Sequence, residues 1–325
     1  FIVCLFKYKK FSLNKGSKLK VLLIGYSNIA KRKIINTFIK HKISFCVASK
    51  SEKKNIVGSY TQYKSYNEEL AKSSADIVYI SQPNSPHYKW AKNALNFNYH
   101  VIIYKPMCDS IIKANELINL VKKKKKFLSG SAFFSHQRQI LNAIKIACGI
   151  KKINHIVANF VIPKPNNKSI LLSKKIKDGV IMDMGPYAAS IARIFCLKKI
   201  KSKKIILKKD NFNLITSFNI LYDYSSIIYS SFFKIGGEYQ NDLTLRTDRK
   251  IIKLYKVFSS PTDQNLRIDV NEDNKKKSCL IKQDNSFVSY FFKALKIIKK
   301  KKYSYYFKQI KTDYLFREEL IKRIG

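Results

Sequence analysis

Three residues of this 325-residue chain have side chains suited to moving a proton at an oxygen atom while holding charge beside it: Lys105, Asp183 and Tyr187. Lys105 ends the apolar run His100-Val101-Ile102-Ile103-Tyr104 and stands directly before Pro106. A residue in front of proline is pushed toward extended geometry, so this lysine leaves the end of a strand in a fixed direction. Asp183 and Tyr187 are four residues apart, and in a helix that spacing puts a carboxylate and a phenol on one face. Brought together across a cleft, the three groups can exchange a proton with a hydroxyl or carbonyl and stabilise charge on its oxygen. The same residues also allow a plainer reading, with Asp183 as a helix N-cap and Tyr187 as ordinary packing.

The elements that must position them are legible around each one. Asp76 to Ile80 is an apolar run too short for a helix and reads as a buried strand, while Trp90, Ala91, Ala94 and Leu95 then recur at helical spacing. Asn98 stands where that helix must stop, and Asn follows Gly in preference for the left-handed residue that ends a helix. With His100 to Tyr104 as the next strand, this is one βαβ unit, and Lys105 sits at the carboxyl edge where open parallel sheets bind ligands.

A second βαβ unit precedes it. The strand Lys20 to Ile24 runs into Gly25-Tyr26-Ser27-Asn28-Ile29-Ala30, followed by helical spacing at Ile34, Ile35, Phe38 and Ile39 and a strand from Ile43 to Ala48. That is the context of a dinucleotide fingerprint, in which glycines let the backbone approach a pyrophosphate at a helix N-terminus. The first glycine is kept as Gly25 and Ala30 is an accepted third residue, whereas Ser27 puts a side chain at the second place. Gly25, Ser27, Asn28 and Ile29 are therefore candidate cofactor contacts. After the second strand an acid would bind the ribose 2′-hydroxyl of NAD. This chain has Ser49-Lys50-Ser51 there, a hydroxyl and a cation suited to a 2′-phosphate, so Ser49 and Lys50 favour NADP with NAD left open.

The stretch QPNSPHYKWAKNALNFNYHVIIYKP, and DGVIMDMGPY from Asp178 to Tyr187, resemble the two signatures of the Gfo/Idh/MocA oxidoreductases. Asn98 takes a usual glycine place, Tyr104 a usual glutamate place, and Lys177 and Asp178 stand where the family usually has glycine. The resemblance adds Pro83, Asn84 and His87 to the cofactor contacts, although such a histidine more often ties its turn together by hydrogen bonds. It implies an NAD(P)-dependent hydride transfer to or from a sugar or nucleotide-sugar alcohol or ketone. In that reaction Tyr187 handles the hydroxyl proton and Lys105 stabilises the oxygen's charge and also contacts the cofactor. The ammonium is expected to lower the phenol's pKa, and Asp183 to orient Tyr187 or the substrate. The runs DMGPYAASIARIF and GGEYQNDLTL look most like the family's sugar-acting members. The rival is a dinucleotide-binding sensor or degenerate copy without catalysis, suggested by Ser27, Tyr104, Lys177 and Asp178.

Composition bounds the rest. A hydrophobic share of 46% with 13% aromatic residues argues for a folded chain of ordinary cores. The 64 basic against 21 acidic residues, a net charge of +43, would ordinarily suggest a nucleic-acid partner. Lysine is spread over the whole chain and arginine, the residue of forked phosphate and base recognition, is scarce, so no specific nucleic acid is expected. The six cysteines include no CxxC pair and no metal-ligand spacing, so no metal is expected and reduced thiols in a cytoplasm are the simplest account. The apolar opening Phe1 to Phe6 is too short for a signal peptide or a membrane span.

The predicted fold class is an α/β Rossmann domain plus an α+β domain with a large, mainly antiparallel sheet. Residues 1–18 read as a basic extension, 19–128 as the dinucleotide-binding domain and 129–325 as a domain for substrate and self-association through its sheet. The helices expected beyond Lys105 span Ser110 to Val121, Gln139 to Cys148, Asp183 to Cys196, Phe287 to Ile298 and Asp313 to Ile324. Between them lie a strand at His155 to Ile162 and short strands at 204–207, 214–221, 227–233, 243–246 and 251–257. Strands grouped without alternating helices argue for antiparallel pairing.

Overall fold

The computed structural model describes residues 19–49, 62–63, 65–82, 86–130, 132–165, 179–196, 200–283 and 285–322. Six parallel strands form the first sheet: β1 (Lys20–Ile24), β2 (Ser44–Ala48), β3 (Gln62–Tyr63), β4 (Ile77–Ile80), β5 (His100–Ile103) and β6 (Leu128–Ser129). Their order is β3-β2-β1-β4-β5-β6. The order reverses between β1 and β4, which makes a crevice at the carboxyl ends of these two strands, as in doubly wound dinucleotide folds. Both faces are covered, and β1, β4 and β5 accordingly read as continuous apolar runs, with Val21 to Ile24 and Ile77 to Ile80 all fully buried.

The connecting helices are α1 (Asn36–Lys40, continuing a wider helical turn over Ala30–Ile35), α2 (Tyr66–Lys72), α3 (His87–Asn96) and α4 (Ile111–Lys123). Asn98 does take the left-handed conformation after α3, with φ 63°. Ser110 caps α4 by accepting from the Lys113 N–H. A short helical turn at Phe133–His136 then leads to α5 (Arg138–Ile146).

The second sheet has eight strands: β7 (His155–Ile162), β8 (Ser202–Lys209), β9 (Ile215–Asp223), β10 (Ile228–Ile235), β11 (Gln240–Arg246), β12 (Lys250–Tyr255), β13 (Leu266–Glu272) and β14 (Lys275–Ile281). They run in the order β14-β13-β12-β11-β7-β10-β9-β8. All neighbours are antiparallel except β7 and β10. A hairpin at 247–250 joins β11 to β12, with Thr247 N–H donating to the Lys250 carbonyl. Strands β13 and β14 lie outside the strands expected from sequence; β14, KKKSCLI, carries the charge and polarity of the sheet edge that it forms, whereas β13, LRIDVNE, is paired on both sides with Leu266, Ile268 and Val270 buried on alternate positions.

Helix α6 (Gly179–Phe195) lies on the inner face of this sheet, and α7 (Ser286–Lys300) and α8 (Ser304–Ile321) close the chain. Two boundaries differ from the sequence reading. Helix α8 starts nine residues before Asp313, its first half carrying the aromatic Tyr306 and Phe307 that pack on the first sheet's core. Helix α6 starts at Gly179, so Asp183 lies a full turn inside it and is not an N-cap. Gly179 is needed there: its φ is +42°, and a Cβ would sit 2.3 Å from the Ile215 carbonyl oxygen.

The last two helices tie the sheets together. Phe287 and Phe291 of α7 pack against Phe38 beneath the first sheet. Phe307, Ile310 and Tyr314 of α8 enter the core on that sheet's opposite face, while Phe316 and Leu320 enter the core of the second sheet. Burying each such aromatic side chain contributes roughly 1.5–3 kcal/mol. No helix among the described residues is long and apolar enough to cross a membrane.

Candidate active site

The crevice begins at Gly25, whose φ is +89° and whose missing Cβ would fall 2.5 Å from Gln82 Cγ and 3.0 Å from the Ser81 carbonyl oxygen. No other residue fits there without displacing the end of β4. Ser27 does not point its hydroxyl outward. Its Oγ lies 2.6 Å from Ser81 Oγ and accepts from the Ala30 N–H at 3.2 Å, so the side chain is folded back onto the helix start and β4. The departure from glycine at this place is thereby absorbed locally. Asn28 and Ile29 follow at the amino end of the helix, and Ser49 is buried just beyond β2. Lys50, Pro83, Asn84, Lys177 and Asp178 lie outside the described residues.

His87 is fully buried, with Nδ1 2.6 Å from the Pro106 carbonyl oxygen and Nε2 2.8 Å from that of Gln82. It braces the turn after β4 against the residue following Lys105. Burial pushes the imidazole pKa down while the two carbonyls pull it up, and the net direction is down. A neutral ring can donate to only one of the two oxygens. His87→Ala is expected to lower stability by ~2–4 kcal/mol, from the cavity and the orphaned carbonyl together. The midpoint of denaturant unfolding measures this, and an unchanged midpoint would show that the brace carries no energy.

Lys105, Asp183 and Tyr187 meet. Lys105 Nζ donates to Asp183 Oδ1 at 2.5 Å and to the Asp183 main-chain oxygen at 2.6 Å. It lies 4.8 Å from the centre of the Tyr187 ring. Lys105 and Tyr187 are buried, and the Asp183 side chain keeps 20% exposure. Pro186 belongs to the same stretch of α6 and lacks an N–H, so the usual helical bond to the Met182 carbonyl cannot form beside this contact.

Burial alone would depress the Lys105 pKa, but Asp183 and the two tyrosines beside it hold the ammonium above the ordinary lysine value. Tyr187 corrects the sequence reading. The lysine does pull the phenol's pKa down, yet desolvation is the larger effect and the net shift is upward. Its cause is a wall of Phe134, Phe160 and Phe258, whose ring centres lie 5.8, 5.5 and 5.5 Å from that of Tyr187. These phenylalanines come from three separate segments, and nothing in their local sequence marks them. The site therefore holds a neutral phenol next to a charged ammonium.

The wall is anchored from both halves. Asn241 Oδ1 accepts from the Phe258 N–H at 2.9 Å, Gln137 Nε2 donates to Ser260 Oγ at 2.6 Å, and Lys33 Nζ reaches the Ser260 carbonyl at 3.1 Å. Asn241 belongs to the GGEYQNDLTL run, which gives that run a place beside the site. Among the described residues no group of three or more His, Cys, Asp or Glu side chains is arranged to hold a metal ion.

Residues 19–131 match the profile of the oxidoreductase family with an NAD-binding Rossmann fold, GFO_IDH_MocA. A dTDP-3,4-didehydro-2,6-dideoxy-alpha-D-glucose 3-reductase from Saccharopolyspora spinosa is 26% identical over 134 residues, 41% of this chain and 40% of that protein. D-xylose 1-dehydrogenase (NADP(+)) 2 from Haloferax volcanii is 28% identical over 141 residues, 43% of each. The matched stretches thus span about two fifths of these curated relatives' length. Among solved structures, the 3-ketoreductase KijD10 from Actinomadura kijaniata, in complex with NADP and TDP-benzene, superposes with a TM-score of 0.84 at 16% identity, covering 94% of this chain and 98% of that one. The aldose-aldose oxidoreductase from Caulobacter crescentus gives a TM-score of 0.81 at 16% identity over 94% and 97%. The six-stranded parallel sheet with its Gly25 turn and Lys-Pro strand end lies within the stretch that matches the Gfo/Idh/MocA oxidoreductase model, and together with the eight-stranded sheet it has the fold of the KijD10 3-ketoreductase.

Proposed function

We propose that this chain is an NADP-dependent oxidoreductase that transfers a hydride between the nicotinamide and a sugar or nucleotide-sugar ketone or alcohol. The observation that carries the reading is the convergence of Lys105 from the first sheet with Asp183 and Tyr187 from α6 of the second. The crevice fits a dinucleotide: Gly25 leaves backbone room, Ser27 is folded out of the way, and the amino end of the following helix faces the β1–β4 switch point. Among the described residues Gly25, Ser27, Asn28, Ile29 and Ser49 would hold it, with Lys105 at its margin. When bound, the cofactor supplies or accepts the hydride.

What the chain contributes is the proton and the charge. A neutral phenol is a proton donor: in the direction from ketone to alcohol the Tyr187 hydroxyl gives its proton to the carbonyl oxygen as hydride reaches the carbon, and in the reverse direction the same oxygen takes the proton back. The tyrosinate left behind is stabilised by the Lys105 ammonium beside its ring, and Asp183 fixes that ammonium in place. The phenylalanine wall keeps water from the back of the ring. Relatives named for dTDP-sugar reduction and xylose oxidation support a sugar-like substrate.

Binding of NADPH is expected to be about tenfold tighter than that of NADH, ~1.4 kcal/mol, because Ser49 stands where an acid would select the 2′-hydroxyl. Ser49→Asp should reverse the preference. Calorimetric titration of both cofactors against both proteins tests this, and equal affinities would overturn the assignment. A panel of keto sugars and nucleotide-linked keto sugars with NADPH then tests the activity itself. Tight cofactor binding without turnover of any carbonyl would favour a dinucleotide sensor.

Self-association through the outer face of the second sheet belongs to the same proposal. That face presents Ile206, Leu221, Ile228 and Leu280, exposed by 45%, 50%, 45% and 70%, an apolar surface of the kind that another copy covers.

A further inference from the structure

We propose that Arg317 of α8 is a positioning residue that holds the Lys105 strand end and the Asp183–Tyr187 face of α6 in register. The inference rests on the reading of these three as the reacting constellation. Arg317 is 2% exposed and touches both sides of the site without touching any of the three. On one side its Nη1 makes a long contact, 3.5 Å, to the carbonyl of Cys108, three residues after Lys105. On the other its Nη2 lies 3.1 Å from Met182 Sδ, immediately before Asp183. Its Cγ and Nε would be 3.7 and 3.8 Å from a Cβ at Gly185, midway between Asp183 and Tyr187. The guanidinium lies over the ring of Tyr314, 4.7 Å from its centre. Tyr314 in turn grips the Cys108 peptide, accepting from its N–H at 2.7 Å and donating to its carbonyl at 2.9 Å.

Stability does not explain this arrangement. Arg317 Nε is buried with no hydrogen-bond partner, Met182 sulfur is a weak acceptor, and the nearby Asp313 is already bonded to Arg193 at 2.7 Å. A buried charge so poorly matched costs free energy, and an apolar side chain of similar volume would often serve the fold as well. What such a side chain could not do is bridge a main-chain carbonyl of one half and α6 of the other through one rigid planar group. The Lys105–Asp183 contact spans the same seam, and its length depends on how closely Cys108 and Met182 are held.

The test is Arg317→Met, which keeps the stem and removes the head. In its crystal structure Lys105 Nζ is expected to lose at least one of its two contacts with Asp183. Turnover with NADPH should fall about 10²-fold, the effect of misplacing a reacting group by about 1 Å. The Kd for NADPH and the KM for the sugar should stay close to wild type, and Arg317→Lys should recover part of kcat, having one cation but not the fork. If Arg317→Met does not fold, Tyr314→Phe loosens the same grip on Cys108 and should lower kcat in the same direction. An unchanged Lys105–Asp183 contact with wild-type kcat overturns the proposal. Should no carbonyl be reduced by the wild type, the reading of the activity fails by itself, and the variant's crystal structure still decides whether Arg317 sets the register.

Discussion

Lys105→Met is expected to lower turnover by about 10²-fold or more while leaving NADPH affinity nearly intact, the scale seen when one preorganised electrostatic donor is removed from a reaction site. Methionine keeps most of the buried stem, so the change isolates the ammonium. Two losses coincide in it. The Tyr187 oxygen no longer has a cation to stabilise the charge it acquires, and Asp183 loses the ammonium that ties its side chain to the end of β5. The variant should also be less stable, because it leaves one member of a buried pair behind. That cost is expected near ~1–3 kcal/mol, below the 3–5 kcal/mol typical of a fully buried pair, since Asp183 keeps 20% exposure and can be hydrated. Steady-state kinetics, calorimetric cofactor titration and a thermal melt on one preparation separate the effects. Wild-type turnover in a folded variant would place the reaction elsewhere.

The pH dependence of the pair follows from its sign. The Lys105 pKa is raised in the folded chain, so its contribution is fully present below the unfolded lysine value near pH ~10.4 and is lost only as pH rises through the higher folded value. The lysine therefore keeps its charge at neutral and moderately alkaline pH.

Much of this site could be read from the chain because its parts obey short-range rules. Gly25 after an apolar run, Asn98 after a helical repeat and Lys105 before Pro106 each reflect a local backbone requirement, and all three stand where expected. Asp183 and Tyr187 share a face because helical spacing demands it, and the meeting with Lys105 followed from the family resemblance. The electrostatic state of Tyr187 was not legible in the same way. It depends on Phe134, Phe160 and Phe258, which reach the ring from a helical turn, a strand and a loop far apart in sequence. A lysine next to a tyrosine suggests a phenolate, and only the ring's burial in the fold reverses that sign. Helix α8 shows the same limit. Its apolar residues serve three cores on different faces, so no single amphipathic stripe marks its first half.

Tyr187→Phe isolates the proton. The ring and its contacts with the three phenylalanines remain, so removing the hydroxyl is expected to cost only about 1 kcal/mol of stability. Reduction should nevertheless slow by about 10²-fold or more, the usual contribution of a positioned general acid. With Tyr187 held protonated above the ordinary phenol value, the wild-type reductive rate should show no alkaline limb from this group between about pH 7 and 10. In the opposite direction a phenolate would be required, so alcohol oxidation should rise with pH across the same interval. Proton transfer from Tyr187 during hydride transfer also predicts a solvent deuterium effect on the wild-type reductive step that shrinks in the phenylalanine variant. Single-turnover reduction in H₂O and D₂O, with both proteins and across that pH range, measures all of this. A variant with unchanged rate and unchanged solvent effect would show that the proton comes from water or another side chain, and would leave Tyr187 as a packed ring beside the lysine.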